Sequence, residues 1–357
     1  MKDCCIVTGG AGFIGCALSQ GLTERYERVI AMDCLHPQIH KDGIRPAQLA
    51  PGVELEKADV RDARAWDALL AKVGTVDTVI DLAAETGTAQ SLFSASRHTS
   101  ANVVGTSEMM DALARAGKLP RQILLTSSRA VYGEGAWRRA DGTVFYPGQR
   151  TDAQLAAGQW DFPGAVYLSA DAASTVPHPT SVYGATKLCQ ENLLNAWGGA
   201  TGVQVKVLRL QNVYGPGQSL INSYTGIVSL FVRQAKKGET IQLYEDGEII
   251  RDFVLIDDVR DGILAALDLD EAVGETIDIG TGRRTTIGEV ARVIARRYHA
   301  PEPQICGKYR NGDVRCGACD AEPALRLLGF AARYGVETGV NRLCDWIDQE
   351  WNGEDPT

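Results

Sequence analysis

The chain has 357 residues, 45% of them hydrophobic and 23% charged, and its 36 Lys and Arg against 45 Asp and Glu give a formal charge of −9. That balance argues against a nucleic-acid backbone or an anionic membrane as the main partner, and no run approaches the roughly 18 apolar residues of a membrane span. An acid at Asp3 and early glycines do not fit a secretory leader, and nine irregularly spaced cysteines suit reduced thiols, so a cytoplasmic protein is expected.

In chain order, β-rich runs at 4–8, 28–32, 53–56, 78–83 and 122–126 predict buried strands, and helical patterns fall at 13–24, 63–72 and 100–116. Strands alternating with helices predict a parallel sheet covered on both faces. A helix over 179–200 and a strand over 203–210 follow; beyond Gly215-Pro216-Gly217 the pattern loosens. A strand at 251–255 runs into a helix at 257–267, and further helices are expected at 286–297, 321–328 and 339–350. Residues 134–180 are rich in Gly, Ala, Pro and Trp and too long for a plain connection, so they read as an insertion over a site rim. The expected fold is α/β: a Rossmann-type doubly wound parallel sheet with a smaller interleaved C-terminal α/β lobe. Residues 1–212 would form the first domain and 213–357 mainly the second, with 251–270 returning to the first.

Thr8-Gly9-Gly10-Ala11-Gly12-Phe13-Ile14-Gly15 follows the first strand and opens the first helix, and satisfies G-x-G-x-x-G at Gly10, Gly12 and Gly15. Glycines there permit a tight turn, the approach of a pyrophosphate to the helix N-terminus, and close helix–strand packing. Asp33 closes the second strand, 18 residues after Gly15, where a carboxylate accepts ribose hydroxyls and repels a 2′-phosphate. The expected cofactor is therefore NAD. Asp59 and Val60 are candidates for the adenine, and Leu82, Ala83 and Ala84 for close passage of the cofactor.

Tyr183 and Lys187 lie four residues apart, on one face of a predicted helix. A phenol is a poor base near neutral pH, but a neighbouring ammonium favours the phenolate. Ser128, after the fifth strand, could hydrogen-bond the same substrate oxygen. No other Tyr-x-x-x-Lys occurs in the chain.

With these residues in place the chain resembles the extended short-chain dehydrogenase/reductases, in the NAD-dependent epimerase/dehydratase branch acting on sugar nucleotides. The likeness runs through TGGAGFIG (8–15), DLAAETG (81–87), NVVGT (102–106), TSSRAVYG (126–133), YGATK (183–187), RLQNVYGPG (209–217), RDFVLIDDV (251–259) and RNGDVR (310–315). The resemblance implies Ser128 as active-site hydroxyl, Tyr183 as base, Lys187 as ribose ligand and tuner of that base, and Asn102 as a structural partner near the lysine. It also implies Asn212, Arg251 and Arg315 as diphosphate ligands, which two guanidiniums suit chemically.

Related 4,6-dehydratases carry Asp-Glu directly after the active-site threonine, where this chain has Arg129 and Ala130. Without those acids, elimination lacks its proton-transfer groups. The resemblance therefore favours a redox-neutral 4-epimerase with tightly bound NAD, passing through a 4-keto sugar. An NAD(P)H-dependent 4-ketoreductase or dehydrogenase is the second reading, and a non-catalytic NAD-sensing scaffold the third. Segments 33–40, 83–91 and 127–135, with the insertion, are similar to UDP-glucose 4-epimerase-like enzymes and most of all to the subgroup interconverting dTDP-L-rhamnose and dTDP-6-deoxy-L-talose. Insertions in that subgroup often carry cysteines, which 134–180 lacks. Glu85, Thr86 and Arg129 are the candidate sugar contacts. No metal site is expected: Cys316-x-x-Cys319 has no second pair and the five histidines are dispersed. The expected partners are a nucleoside-diphosphate sugar and a second copy of the chain, since relatives dimerise through helices matching 100–116 and 183–200.

Overall fold

The computed structural model describes every residue except 41, 221–225, 270–275 and 352–357. Seven parallel strands form the main sheet: β1 (Lys2–Thr8), β2 (Tyr26–Asp33), β3 (Val53–Lys57), β4 (Thr78–Asp81), β5 (Gln122–Ser128), β6 (Gln204–Leu210) and β7 (Ile277–Ile279). Their order is β7-β6-β5-β4-β1-β2-β3, every neighbour parallel. The order in which strands are added reverses between β1 and β4, and in such sheets the ligand crevice opens beyond the strand C-termini at that point.

Alternating side chains send each strand to two cores. Cys5, Val7, Ile80 and Leu124 meet α1 (Phe13–Thr23) and a later helix, Ile256–Asp268. Cys4, Ile6, Val79 and Ile123 meet α2 (Ala63–Ala71), α3 (Gly105–Arg115) and α4 (Val182–Thr201) on the opposite face. The predicted helix over 100–116 divides: a π-helical turn at Ser100–Val104 precedes α3. Beyond 251–270, β7 at 277–279 pairs with β6 at the edge of the main sheet. Among the described residues no helix is long and apolar enough to cross a membrane.

A second core joins Phe231 and Val232 of helix Ile227–Lys236, Val290 and Ile294 of helix Ile287–Arg297, and Leu343 and Ile347 of helix Val336–Glu350. The strand predicted at 251–255 is two, Ile250–Arg251 and Phe253–Leu255, interrupted at Asp252. The Asp252 carboxylate accepts from the N–H groups of Thr281 and Gly282 at 2.9 Å each, which turns the chain there.

The insertion is ordered although its sequence has little periodicity. Trp137–Arg139 pairs antiparallel with Val144–Phe145 and Ala165–Tyr167. Trp137 packs edge-on against Phe162 and Tyr167, with ring centroids 4.8 and 5.7 Å away. Ala170 N–H donates to the Ala318 carbonyl (2.8 Å) and Tyr167 O–H to the same oxygen (2.9 Å), fastening the insertion to the second lobe.

Candidate active site

The glycine turn after β1 is built for close approach. Gly9 has φ +63°, and a Cβ there would sit 2.9 Å from the Ala83 backbone; one on Gly15 would sit 2.3 Å from the Gly10 oxygen. Gly12 caps α1 without a side chain, leaving the first-turn N–H groups to a ligand. Thr8 Oγ1 accepts from the N–H groups of Leu82 (3.2 Å) and Ala83 (3.1 Å), holding the β4 exit, with Ala84, beside the turn. The Phe13 ring lies beside Gly217, and Ile14 packs into the first core.

Asp33 is buried at the end of β2, and its two oxygens accept from Ala11 N–H (3.1 Å) and Leu35 N–H (2.8 Å). Each oxygen keeps a lone pair for a further donor. Val60 is braced by Trp66 Nε1, which donates to its carbonyl at 2.9 Å, whereas the Asp59 carboxylate is taken by Arg61 at 2.5 Å. An open helix N-terminus, a turn that tolerates no Cβ and an acid at the end of β2 fit a dinucleotide whose ribose hydroxyls are free.

Ser181 caps α4, its oxygen accepting from Gly184 N–H at 3.0 Å, and so places Tyr183 in the first turn. A Cβ on Gly184 would lie 2.4 Å from the Ala130 carbonyl, so its absence lets α4 press against the turn after β5. This contact brings Tyr183 to Ser128. Burial raises the Tyr183 pKa, while a hydrogen bond from Ser128 and the positive charge of Arg129 act the other way. One turn on, Lys187 is buried and donates to Gln190 Oε1 at 2.5 Å. Burial pushes its ammonium down to about 8, against the pull of Asp81 and Glu191.

Asn102, in the π-helical turn, has no exposure. It accepts from Glu85 N–H (2.8 Å) and donates to the Glu85 carbonyl (3.1 Å) and to Thr186 Oγ1 (2.9 Å), tying the β4 exit to the residue before Lys187. Of the two sugar-contact candidates on that exit, Glu85 pairs its carboxylate with Arg97 (2.8 Å), while Thr86 engages His98 Nε2 through its backbone carbonyl (3.2 Å).

Arg315 forms ion pairs with Asp161 (2.8 Å), Asp246 (2.7 Å) and Glu245 (3.4 Å). Arg129 lies beside Arg251. Its Nε donates to Asn212 Oδ1 at 2.6 Å, and burial together with Arg251 pushes its guanidinium down to about 9. Arg251 donates to its neighbouring carbonyl, that of Ile250, at 2.7 Å. Among the described residues neither guanidinium has a carboxylate in an ion pair, an arrangement that attracts an anion.

Several polar residues around the site have no role assigned by the sequence pattern. Tyr132 O–H donates to Asp278 at 2.6 Å, and Arg209 grips Glu191 at 2.7 and 3.0 Å. Gln190 and Glu191 could have been read from their places three and four residues beyond Lys187 on one helix; Asp278 offered no such signal.

The family signature of the NAD dependent epimerase/dehydratases matches residues 5–280. The chain belongs to that family. It is 56% identical over 345 residues to a dTDP-L-rhamnose 4-epimerase of Burkholderia thailandensis, covering 97% of this chain and 95% of the relative. The structure of a UDP-glucose 4-epimerase from Thermotoga maritima, solved with UDP-glucose, matches with a TM-score of 0.79 at 25% identity over 97% of this chain and 99% of that one. A Thermus thermophilus UDP-glucose 4-epimerase in complex with NAD shares the fold, with a TM-score of 0.76 at 24% identity over 97% and 99% of the two chains.

Proposed function

We propose that the chain is an NAD-dependent sugar-nucleotide 4-epimerase that interconverts dTDP-L-rhamnose and dTDP-6-deoxy-L-talose. One observation carries the reaction type: Tyr183 lies beside Ser128 and Arg129, and the turn that α4 presses against carries Arg129 and Ala130 directly after Ser128, where an elimination would need acids. That set handles one proton at one hydroxyl and offers no second acid–base pair for elimination. The near-full-length likeness to the Burkholderia enzyme supports the substrate.

NAD, when bound, supplies a hydride acceptor that returns the same hydride. Tyr183 takes the O4 proton on oxidation and gives it back on reduction, Ser128 holds O4 by a hydrogen bond, and the Lys187 ammonium stabilises the phenolate. Arg129, Arg251 and Asn212 bind the diphosphate, the two unpaired guanidiniums meeting two negative charges. Gly9, Gly12, Gly15, Asp33 and the Leu82–Ala84 backbone hold the cofactor. Inversion at C4 requires the keto sugar to present its other face, so the sugar end must be held less firmly than the diphosphate end.

The test is proton NMR of the purified protein with dTDP-L-rhamnose and no added cofactor. New anomeric and H4 signals at constant total sugar nucleotide are expected. Conversion only after NAD(P)H is supplied would make the chain a reductase.

The working form is a homodimer in the cytoplasm. Leu92, Phe93 and Val104 expose 61, 89 and 43% of their surfaces on the short helices that precede α3, a concentration of apolar surface suited to a second copy. All nine cysteines are free thiols, which suits a reducing compartment. Analytical ultracentrifugation should give twice the 38.4 kDa of one chain, and a monomer would end the dimer reading.

A further inference from the structure

Lys187 is buried where an ammonium needs compensation, and the structure shows how it obtains it. Two carboxylates act on it, Asp81 from β4 and Glu191 from its own helix. Glu191 is already committed: Arg209 holds both its oxygens, and Ser127 donates to it as well. Asp81 is 3% exposed and accepts from Thr8 Oγ1 at 2.6 Å and Thr106 Oγ1 at 3.0 Å. Among the described residues no Lys or Arg forms a direct ion pair with it.

Gln190 closes the gap. Its Nε2 donates to Thr106 Oγ1 at 2.7 Å and approaches Asp81 Oδ2 at 3.4 Å, while its Oε1 receives the Lys187 ammonium. An ionised Asp81 only accepts, so the amide nitrogen must face it and the amide oxygen must face Lys187. The amide dipole therefore lies between anion and cation in the orientation that stabilises both, in a dry region where such polarisation counts. Thr8, at the other end of the chain of bonds, holds the Leu82 and Ala83 N–H groups of the cofactor cradle.

We propose that Gln190 is a positioning residue that couples the buried Asp81 carboxylate to the Lys187 ammonium, keeping that ammonium charged and aimed, and so sets how readily Tyr183 gives up its proton. The inference rests on Tyr183 as the proton acceptor of the proposed epimerase. The groups acting on Lys187 are Asp81 from β4 and Glu191 and Gln190 from α4, with Tyr183 one turn before it on the same helix.

The test compares Gln190→Met, Gln190→Glu and Asp81→Asn in the full-length protein. Alkaline tyrosine absorbance, taken as the difference between each chain and its Tyr183→Phe counterpart, isolates the titration of Tyr183 without substrate. The pH profile of kcat/KM with dTDP-L-rhamnose is the second readout. Gln190→Met should move the Tyr183 titration and the acid limb upward by about one pH unit, a roughly tenfold loss below the limb that recovers on the alkaline side. Asp81→Asn should shift both in the same direction, adding nothing in the Gln190→Met background, and Gln190→Glu should restore them. A Tyr183 titration unmoved in Asp81→Asn, or a rate loss in Gln190→Met that is equal at every pH, overturns the proposal. Absence of epimerisation by the unaltered chain would instead reject the functional reading, since the spectroscopic titration needs no turnover.

Discussion

Arg150 and Glu245 meet side by side inside the protein: the two terminal guanidinium nitrogens lie 2.8 Å from the two carboxylate oxygens, and each side chain is 1% exposed. The pair joins the insertion to the second lobe, with Glu134 3.2 Å from Arg150 Nε and Arg315 sharing Glu245. Removing one member strands charge in a dry site. Arg150→Met should therefore lower unfolding stability by ~3–5 kcal/mol, measured by urea denaturation. A double replacement, Arg150→Met with Glu245→Leu, should recover much of that loss.

Asp278 carries a pH signature. Burial raises its carboxyl to about 7, against the hydrogen bond from Tyr132 and the charge of Arg209. A carboxyl raised in the folded state contributes stability below its unfolded value near 4, and that contribution is lost as pH rises toward 7. Asp278→Asn should flatten the fall in urea midpoint between about pH 4 and 7. A slope that survives the substitution would assign it to another group, with Glu134, also raised to about 7 by burial, the first to examine.

Tyr183→Phe should cost roughly 10²–10⁴-fold in kcat, the range for a lost general acid–base group, without loss of retained NAD in the purified protein. The phenol lies beside Ser128 and supports no fold element, so thermal stability should stay within a degree or two. Nucleotide content measured after denaturation checks the first part and calorimetry the second.

Arg129→Ala and Arg251→Ala should each raise KM by roughly 10–100-fold, because a charge-assisted hydrogen bond to an anion is worth ~1.5–3 kcal/mol. Arg315→Ala should act chiefly on stability, since its guanidinium is spent on Asp161, Asp246 and Glu245. Steady-state kinetics beside urea titrations of the three variants separate clamp from scaffold. A large KM effect at Arg315 with unchanged stability would restore the Arg251–Arg315 clamp.

What was legible in the residues is what chemistry ties to local spacing. The glycines of 9–15 and Tyr183 with Lys187 each need particular residue types a few positions apart, and the five alternating strands of the first half announce their faces. Arg150 and Glu245 stand 95 positions apart, Gln190 and Asp81 109 apart, and nothing local marks either pair. The insertion escaped for the same reason: it is held by a few aromatic contacts and buried ion pairs, not by a periodic apolar face. Arg315 shows the converse. The resemblance implies a phosphate ligand there, and the three carboxylates around it, from three distant stretches of chain, have no local mark in the sequence.

Gly184 lets α4 touch the turn after β5, and on that helix the phenol and the ammonium are separated by a single turn. They consequently move as one rigid part, their spacing set by helix pitch and not by loop conformation. Residues 134–180 are a separate part, with fastenings of their own to Glu245 and Ala318. Drift there leaves the spacing of phenol and ammonium untouched, so sequence divergence in such a molecule is expected to be recorded in 134–180 long before it reaches the helix.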